Sequence, residues 1–212
     1  MTSTHSTPTP THNPVVTNPA AWWRTPCEVL PWLFVCGDLE TDRPTVGREQ
    51  LAAWHRLGIT DIIDVRVEWN DEDFVIEYLP TMGYHWLGTD DDGRGQSDEW
   101  FDKIREAARL TRLNLDGKML VHCHMGVNRA PSAALAIMLA DGWDVVEALD
   151  RIRAARPIAG ILYAHDAIAW WHRRSGSSAE AAAFDHQRAA EWFEANPVDL
   201  GWIISRIRQA GG

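Results

Sequence analysis

Nowhere in the 212 residues does an apolar run approach the roughly 18 residues that a membrane-spanning helix requires. The start of the chain has neither a basic stretch nor an apolar one, so it does not read as a secretory signal. Cysteine is sparse: Cys27, Cys36 and Cys123 form an odd set with no close pair, which excludes a disulfide framework and fits a reducing, cytoplasmic setting. Positive charge is short as well. Twenty Lys and Arg against 30 Asp and Glu leave a formal charge of −10, with no basic stripe to offset it. Extended nucleic-acid or anionic-membrane binding needs a clustered positive face, and neither is expected. There is no internal repeat, and the length suits one well-buried core but is short for two.

What is there divides into three parts. Residues 1–21 are rich in Thr and Pro and too poor in large apolar side chains to offset their ordering entropy, and are expected to be a disordered tail. From 22 to 174, strand-like and helix-like blocks alternate. Val29–Val35 reads as one strand, as do Ile59–Val65, Tyr84–Leu87 and Met119–His122. Helical stripes lie at Leu51, Trp54 and His55, at Asp73–Leu79, and at Trp100, Phe101, Ile104, Ala107 and Ala108 behind a Ser97 cap. More follow at Ala133–Ala140, at Val145–Ala155 behind Asp144, and at Ile161–Arg173. This alternation predicts an α/β domain, a central mainly parallel sheet flanked by helices. Residues 175–212 carry two further stripes separated by Asn196-Pro197, a C-terminal helical extension.

One stretch concentrates the chemistry: Val121-His122-Cys123-His124-Met125-Gly126-Val127-Asn128-Arg129-Ala130-Pro131-Ser132. It runs from an apolar strand into an apolar helix. Five residues between Cys123 and Arg129 are enough for the backbone to curl round a tetrahedral anion. Backbone N–H groups of His124, Met125, Gly126, Val127, Asn128 and Arg129 would then face the anion, with the positive end of the helix behind them. Gly126 would supply the permissive dihedral, and Pro131 is tolerated in a first helical turn. The same setting prepares Cys123 as a thiolate nucleophile and Arg129 as a planar clamp for phosphoryl oxygens. The chemistry implied is attack on phosphorus, a phosphocysteine intermediate, and its hydrolysis by water. A metal or organic cofactor is not required. His122 is expected to orient the loop from behind rather than to act as a base. His124 is either a pocket wall or merely exposed. Zinc held by Cys123, His122 and His124 is disfavoured, because neighbours on a strand point to opposite faces.

His122-Cys123-x-x-Gly126-x-x-Arg129 resembles the HCxxGxxR loop of cysteine-dependent protein tyrosine phosphatases, most of all their compact dual-specificity branch. The likeness extends from about Cys27 to Arg173 and takes in the LPWLFVCG opening, Asp64-Val65-Arg66 and Arg156-Pro157. The resemblance implies a dual-specificity phosphatase-like fold and a phosphorylated protein or peptide as substrate. It also implies a general acid about thirty residues before the cysteine, where this chain has Asp90-Asp91-Asp92. Asp91 has the register closest to the family's acid, with Asp92 and then Asp90 as substitutes. One departure stands out: Ala130 occupies the place where the family usually has Ser or Thr bonded to the cysteine sulfur. That predicts a slower second step unless Ser132 or a water compensates. The rival readings are therefore a non-catalytic or single-turnover phosphate-binding protein, and a phosphatase of a non-protein ester.

Overall fold

Pro31 divides the first apolar run. It fixes its own φ and offers no N–H to a ladder, so the chain turns at Pro31-Trp32 instead of passing through as one strand. The result is a hairpin, β1 (Cys27–Leu30) antiparallel to β2 (Leu33–Cys36). In this computed structural model, residues 19–211 are described. Most of the expected Thr/Pro tail lies outside them, but Pro19–Arg24, the end of that stretch, forms a 3₁₀ helix.

Beyond the hairpin the expected alternation follows. The elements are α1 (Pro44–Arg56), β3 (Asp61–Arg66), α2 (Glu72–Tyr78), β4 (Gly83–Thr89), α3 (Asp98–Thr111), β5 (Met119–His122) and α4 (Arg129–Ala140). Then come α5 (Val145–Ala155), α6 (Ala164–Ser175), α7 (Ala179–Ala195) and α8 (Leu200–Gly211). The strand order is β1-β2-β5-β3-β4, parallel throughout except for β1. Register places Cys36 and Asp64 on either side of His122, so the carboxyl ends of β2, β3 and β5 meet just before Cys123.

The period-2 pattern of the strands sorts the core into two layers. Val35, Ile63 and Val121 face α3, α4, α5 and α6, whereas Phe34, Ile62 and Leu120 face α1 and α2. Helix α4 is apolar all round and buried along almost its whole length, as such a helix must be. The C-terminal helices are fastened to this body. Ala189 and Trp192 of α7 join the main core, and Ile203 and Ile207 of α8 pack with Trp23 and Val127.

Asp144 serves two of these elements. It caps α5 by accepting from the amides of Val146 (2.9 Å) and Glu147 (3.3 Å), and it pairs with Arg188 of α7 at 2.6 Å. Asp144→Ala should lower unfolding stability in urea by about 1 kcal/mol, while Asp144→Asn, which keeps the cap, should lose less than about half of that. Equal losses would assign the effect to the ion pair alone.

Candidate active site

A peptide's C=O and N–H point in opposite directions, so a loop can present its amides inward only if its carbonyls find donors outside. Between Cys123 and Arg129 every carbonyl from residue 124 to 128 does so. His124 accepts from the Asp38 amide (3.0 Å), Val127 from the Gly160 amide (2.6 Å) and Asn128 from the Ser132 amide (2.9 Å). The carbonyls of Met125 and Gly126 accept from the buried Arg156 guanidinium at 3.0 and 2.5 Å. Among the described residues, the amides of 124–128 donate to no protein acceptor. Gly126 sits at φ +64°, and a Cβ there would lie 2.4 Å from Arg156 Nη2 and 2.5 Å from the Cys36 carbonyl. Only glycine fits this crossing.

Cys123 lies buried where β5 gives way to this loop, and Arg129 opens α4 at its far end. Arg129 is itself buried, with its two Nη atoms donating to the Glu68 carboxylate at 2.6 and 2.8 Å and Nη1 to the Thr89 carbonyl at 3.0 Å. Nε has no hydrogen-bond partner and faces Asp91 Oδ2 at 3.4 Å. Burial opposes the Arg129 charge, but Glu68, Cys123 and Asp91 together hold its pKa above the ordinary arginine value. Burial likewise opposes ionisation of Glu68, and the bond from Arg129 overrides it, leaving that carboxyl below its usual range. The Nη edge is thus committed to Glu68, and the Nε side is the one left for an incoming oxygen.

Of the three consecutive aspartates, Asp91 is the one that reaches the loop. Its Oδ1 accepts from Asn128 Nδ2 (2.6 Å) and Tyr163 Oη (3.0 Å). Asp92 turns instead to exposed Arg94, and Asp90 offers its carbonyl to Gln96. Ser132 does not take the place of the missing hydroxyl at Ala130: its Oγ donates to Asn128 Oδ1 (3.4 Å) and accepts from the Tyr163 amide (3.3 Å).

His124 projects to the mouth of the site. Its Nδ1 lies 3.0 Å from Asp38, its ring stacks on half-exposed Trp69 at 5.5 Å, and Asp38 is shared with Arg24. His122 is fully enclosed, 3.8 Å from Asp64 and packed against Trp54. Asp64, Asp71 and His122 place potential metal-ligand atoms within 4.8 Å of one another, yet Arg66 bridges both carboxylates and already supplies the positive charge. Glu68, Tyr163, Asp38 and Arg156 escaped the sequence reading as site residues. The signal available was Glu68 two places after Arg66 in the Asp64-Val65-Arg66 segment, and the Arg156-Pro157 pair.

No family model matches the chain. Its fold is nevertheless that of the dual-specificity phosphatases, with a five-stranded, mostly parallel sheet flanked by helices. It is similar to human DUSP28 (18% identity, TM-score 0.58, covering 72% of this chain and 99% of that one). It is similar also to DUSP15 (21%, TM-score 0.56, 77% and 96%). A third likeness is to the human tyrosine phosphatase-like serine/threonine/tyrosine-interacting protein (20%, TM-score 0.54, 69% and 95%).

Burial lowers the His122 pKa to about 4, against the pull of Asp64. The folded chain therefore binds fewer protons than the unfolded one between that value and about 6.5. Its contribution to stability is complete above the upper limit and is lost as pH falls toward the lower, amounting to about 3 kcal/mol. Replacing His122 by Asn should flatten the pH dependence of unfolding stability across this window. An unchanged slope would show that His122 is not the group responsible.

Proposed function

We propose that the chain is a phosphomonoester hydrolase that acts on phosphoproteins, on phosphotyrosine and in dual-specificity manner on phosphoserine or phosphothreonine. The observation that carries this reading is the loop from 124 to 128 with all its carbonyls turned outward, wrapped between Cys123 and Arg129. A dianionic phosphoryl group fits such a cradle, and its inward amides, the α4 N-terminus and Arg129 Nε would meet the equatorial oxygens as charge builds there.

In the first step Cys123 Sγ attacks phosphorus, the S–P bond forms and the ester P–O bond breaks, while Asp91 passes a proton to the departing oxygen. In the second, Asp91 takes a proton from a water that attacks phosphorus, and the S–P bond breaks to return the thiolate. Asn128 and Tyr163 hold Asp91 over the loop, and His122 supports the cysteine from behind. The three free cysteines suit a reducing cytoplasm. A second reading, a phosphate-binding protein that turns over once or not at all, is favoured by one pair of facts: Ala130 offers no hydroxyl, and Ser132 Oγ is engaged elsewhere.

The test is the time course of a chromogenic aryl phosphate at about pH 6, beside Cys123→Ser. Steady release by the native chain and loss of more than about 10³-fold in the variant is expected. A burst of one equivalent followed by a stall would place the defect in the second step and favour the single-turnover reading. No release would overturn hydrolysis altogether. Asp91→Ala should slow kcat by about 10²–10⁴-fold on alkyl phosphates and less on aryl ones, whose leaving groups depart without a proton. A larger loss in Asp92→Ala would move the acid to that residue.

A further inference from the structure

Helix α8 lies against the loop that joins Cys123 to Arg129. Its buried Ile203 and Ile207 pack with Val127 and Trp23, and Met125 and Leu200 border the same apolar cluster. Val127 is the loop residue whose carbonyl accepts from the Gly160 amide, and α8 reaches that donor too. A Cβ on Gly160 would lie 3.0 Å from Leu200 Cδ2 and 3.5 Å from the Val127 carbonyl oxygen. One helix thus covers both the loop and the turn that holds it.

That turn is strained. Ile161, next to Gly160, sits at φ +53°, which a β-branched residue keeps only while its surroundings enforce it. The Gly160 amide donates to Val127 and the Leu162 amide to Asn128 Oδ1 (2.7 Å), so relaxation at Ile161 would withdraw both grips on the loop. The inward direction of the loop amides is therefore fixed by hydrogen bonds on one flank and by apolar packing under α8 on the other. The packing is the weaker tie. Among the described residues, no hydrogen bond or ion pair joins a side chain of α8 to the rest of the fold: Gln209 reaches Ser205 and Arg206 covers Trp202, both within the helix. The connector before it is held at Asn196, whose carbonyl accepts from Arg153 Nη1 at 3.0 Å. Apolar contact alone seats α8, so its release is a local opening that leaves the sheet intact.

We propose that α8 is a positioning element of the phosphate-binding loop. Docked, it holds Val127 and the Gly160–Ile161 turn so that the amides of 124–128 converge; undocked, it lets the turn relax and the cradle loses its hold on an oxyanion. Leu200, Ile203 and Ile207 act through Val127 and Gly160 and touch no substrate. The inference rests on the reading of that loop as an oxyanion cradle and not on turnover.

The experiment measures calorimetric binding of tungstate, an inorganic tetrahedral dianion, to full-length chains. Ile203→Ala combined with Ile207→Ala should weaken binding about tenfold and speed hydrogen exchange at the amides of 124–128. Ile104→Ala removes the same side chain from α3 in the main core. It should lower the melting temperature yet change affinity less than about twofold. Ile203→Val with Ile207→Val should bring affinity back to within about twofold of the native chain. Should the double alanine chain not fold, Leu200→Ala, at a half-buried position, carries the same test with an expected loss of about threefold. Unchanged affinity in the α8 variants, an equal loss in Ile104→Ala, or no rescue by valine would overturn the role of α8. Failure of the phosphatase reading registers separately. A native chain that binds tungstate in an α8-dependent way but turns over no aryl phosphate removes hydrolysis and supports this inference, whereas one that binds no tungstate overturns both.

Discussion

Everything at the site depends on where five carbonyls go. A loop that curls its amides around an anion must turn its carbonyls the other way, and buried carbonyls without donors would cost more than the loop could recover. Here the donors to four of the five come from elements far away in the chain. Arg156, thirty positions beyond Gly126, takes two carbonyls and also donates to the Trp23 carbonyl, tying the loop to the 3₁₀ helix. Gly160 takes a third. Ile161, next to it, is held at φ +53°, a conformation that costs a β-branched residue on the order of 1–3 kcal/mol. The Gly160 amide bonds Val127 and the Leu162 amide bonds Asn128 Oδ1 (2.7 Å), so the strained residue lies between two donors that grip the loop.

Charge is arranged with the same economy. In a chain of net charge −10, the clamp proposed for phosphate is one buried arginine, and it is kept charged by carboxylates. Glu68 holds the Nη edge rigidly in plane, which leaves the guanidinium little rotamer freedom to lose when an oxyanion meets Nε. Asp91 faces the Nε side of Arg129 and accepts from Asn128 and Tyr163, so a side chain of the loop itself positions the carboxylate proposed as the acid. Behind the cysteine, the Asp64–Arg66–Asp71 network is closed on itself, and burial keeps His122 neutral against the pull of Asp64.

The C-terminal helices take part in this support. Val127, in the middle of the loop, packs with Trp23 and with Ile203 and Ile207 of α8, and Met125 packs against the same cluster. At 69–77% coverage the similar phosphatase structures leave about a quarter of the chain unmatched, more than the residues outside 19–211 account for.

The α/β alternation and the helix caps at Ser97 and Asp144 are local signals, each legible from residues a few positions apart. So was the spacing of Cys123, Gly126 and Arg129, because one loop contains them all. Pro31 is equally visible, but that it splits the apolar run into a hairpin shows only in the pairing of β1 with β2. What the sequence determined by itself is therefore the set of elements and the residue types at the mouth of one strand–loop–helix turn. Only the tertiary structure decided which partners complete that turn. Glu68 lies 61 positions from Arg129, Asp38 lies 86 from His124, and Tyr163 lies 72 from Asp91. Pairings of that separation are set by sheet order and helix packing, and no pattern read along the chain encodes them.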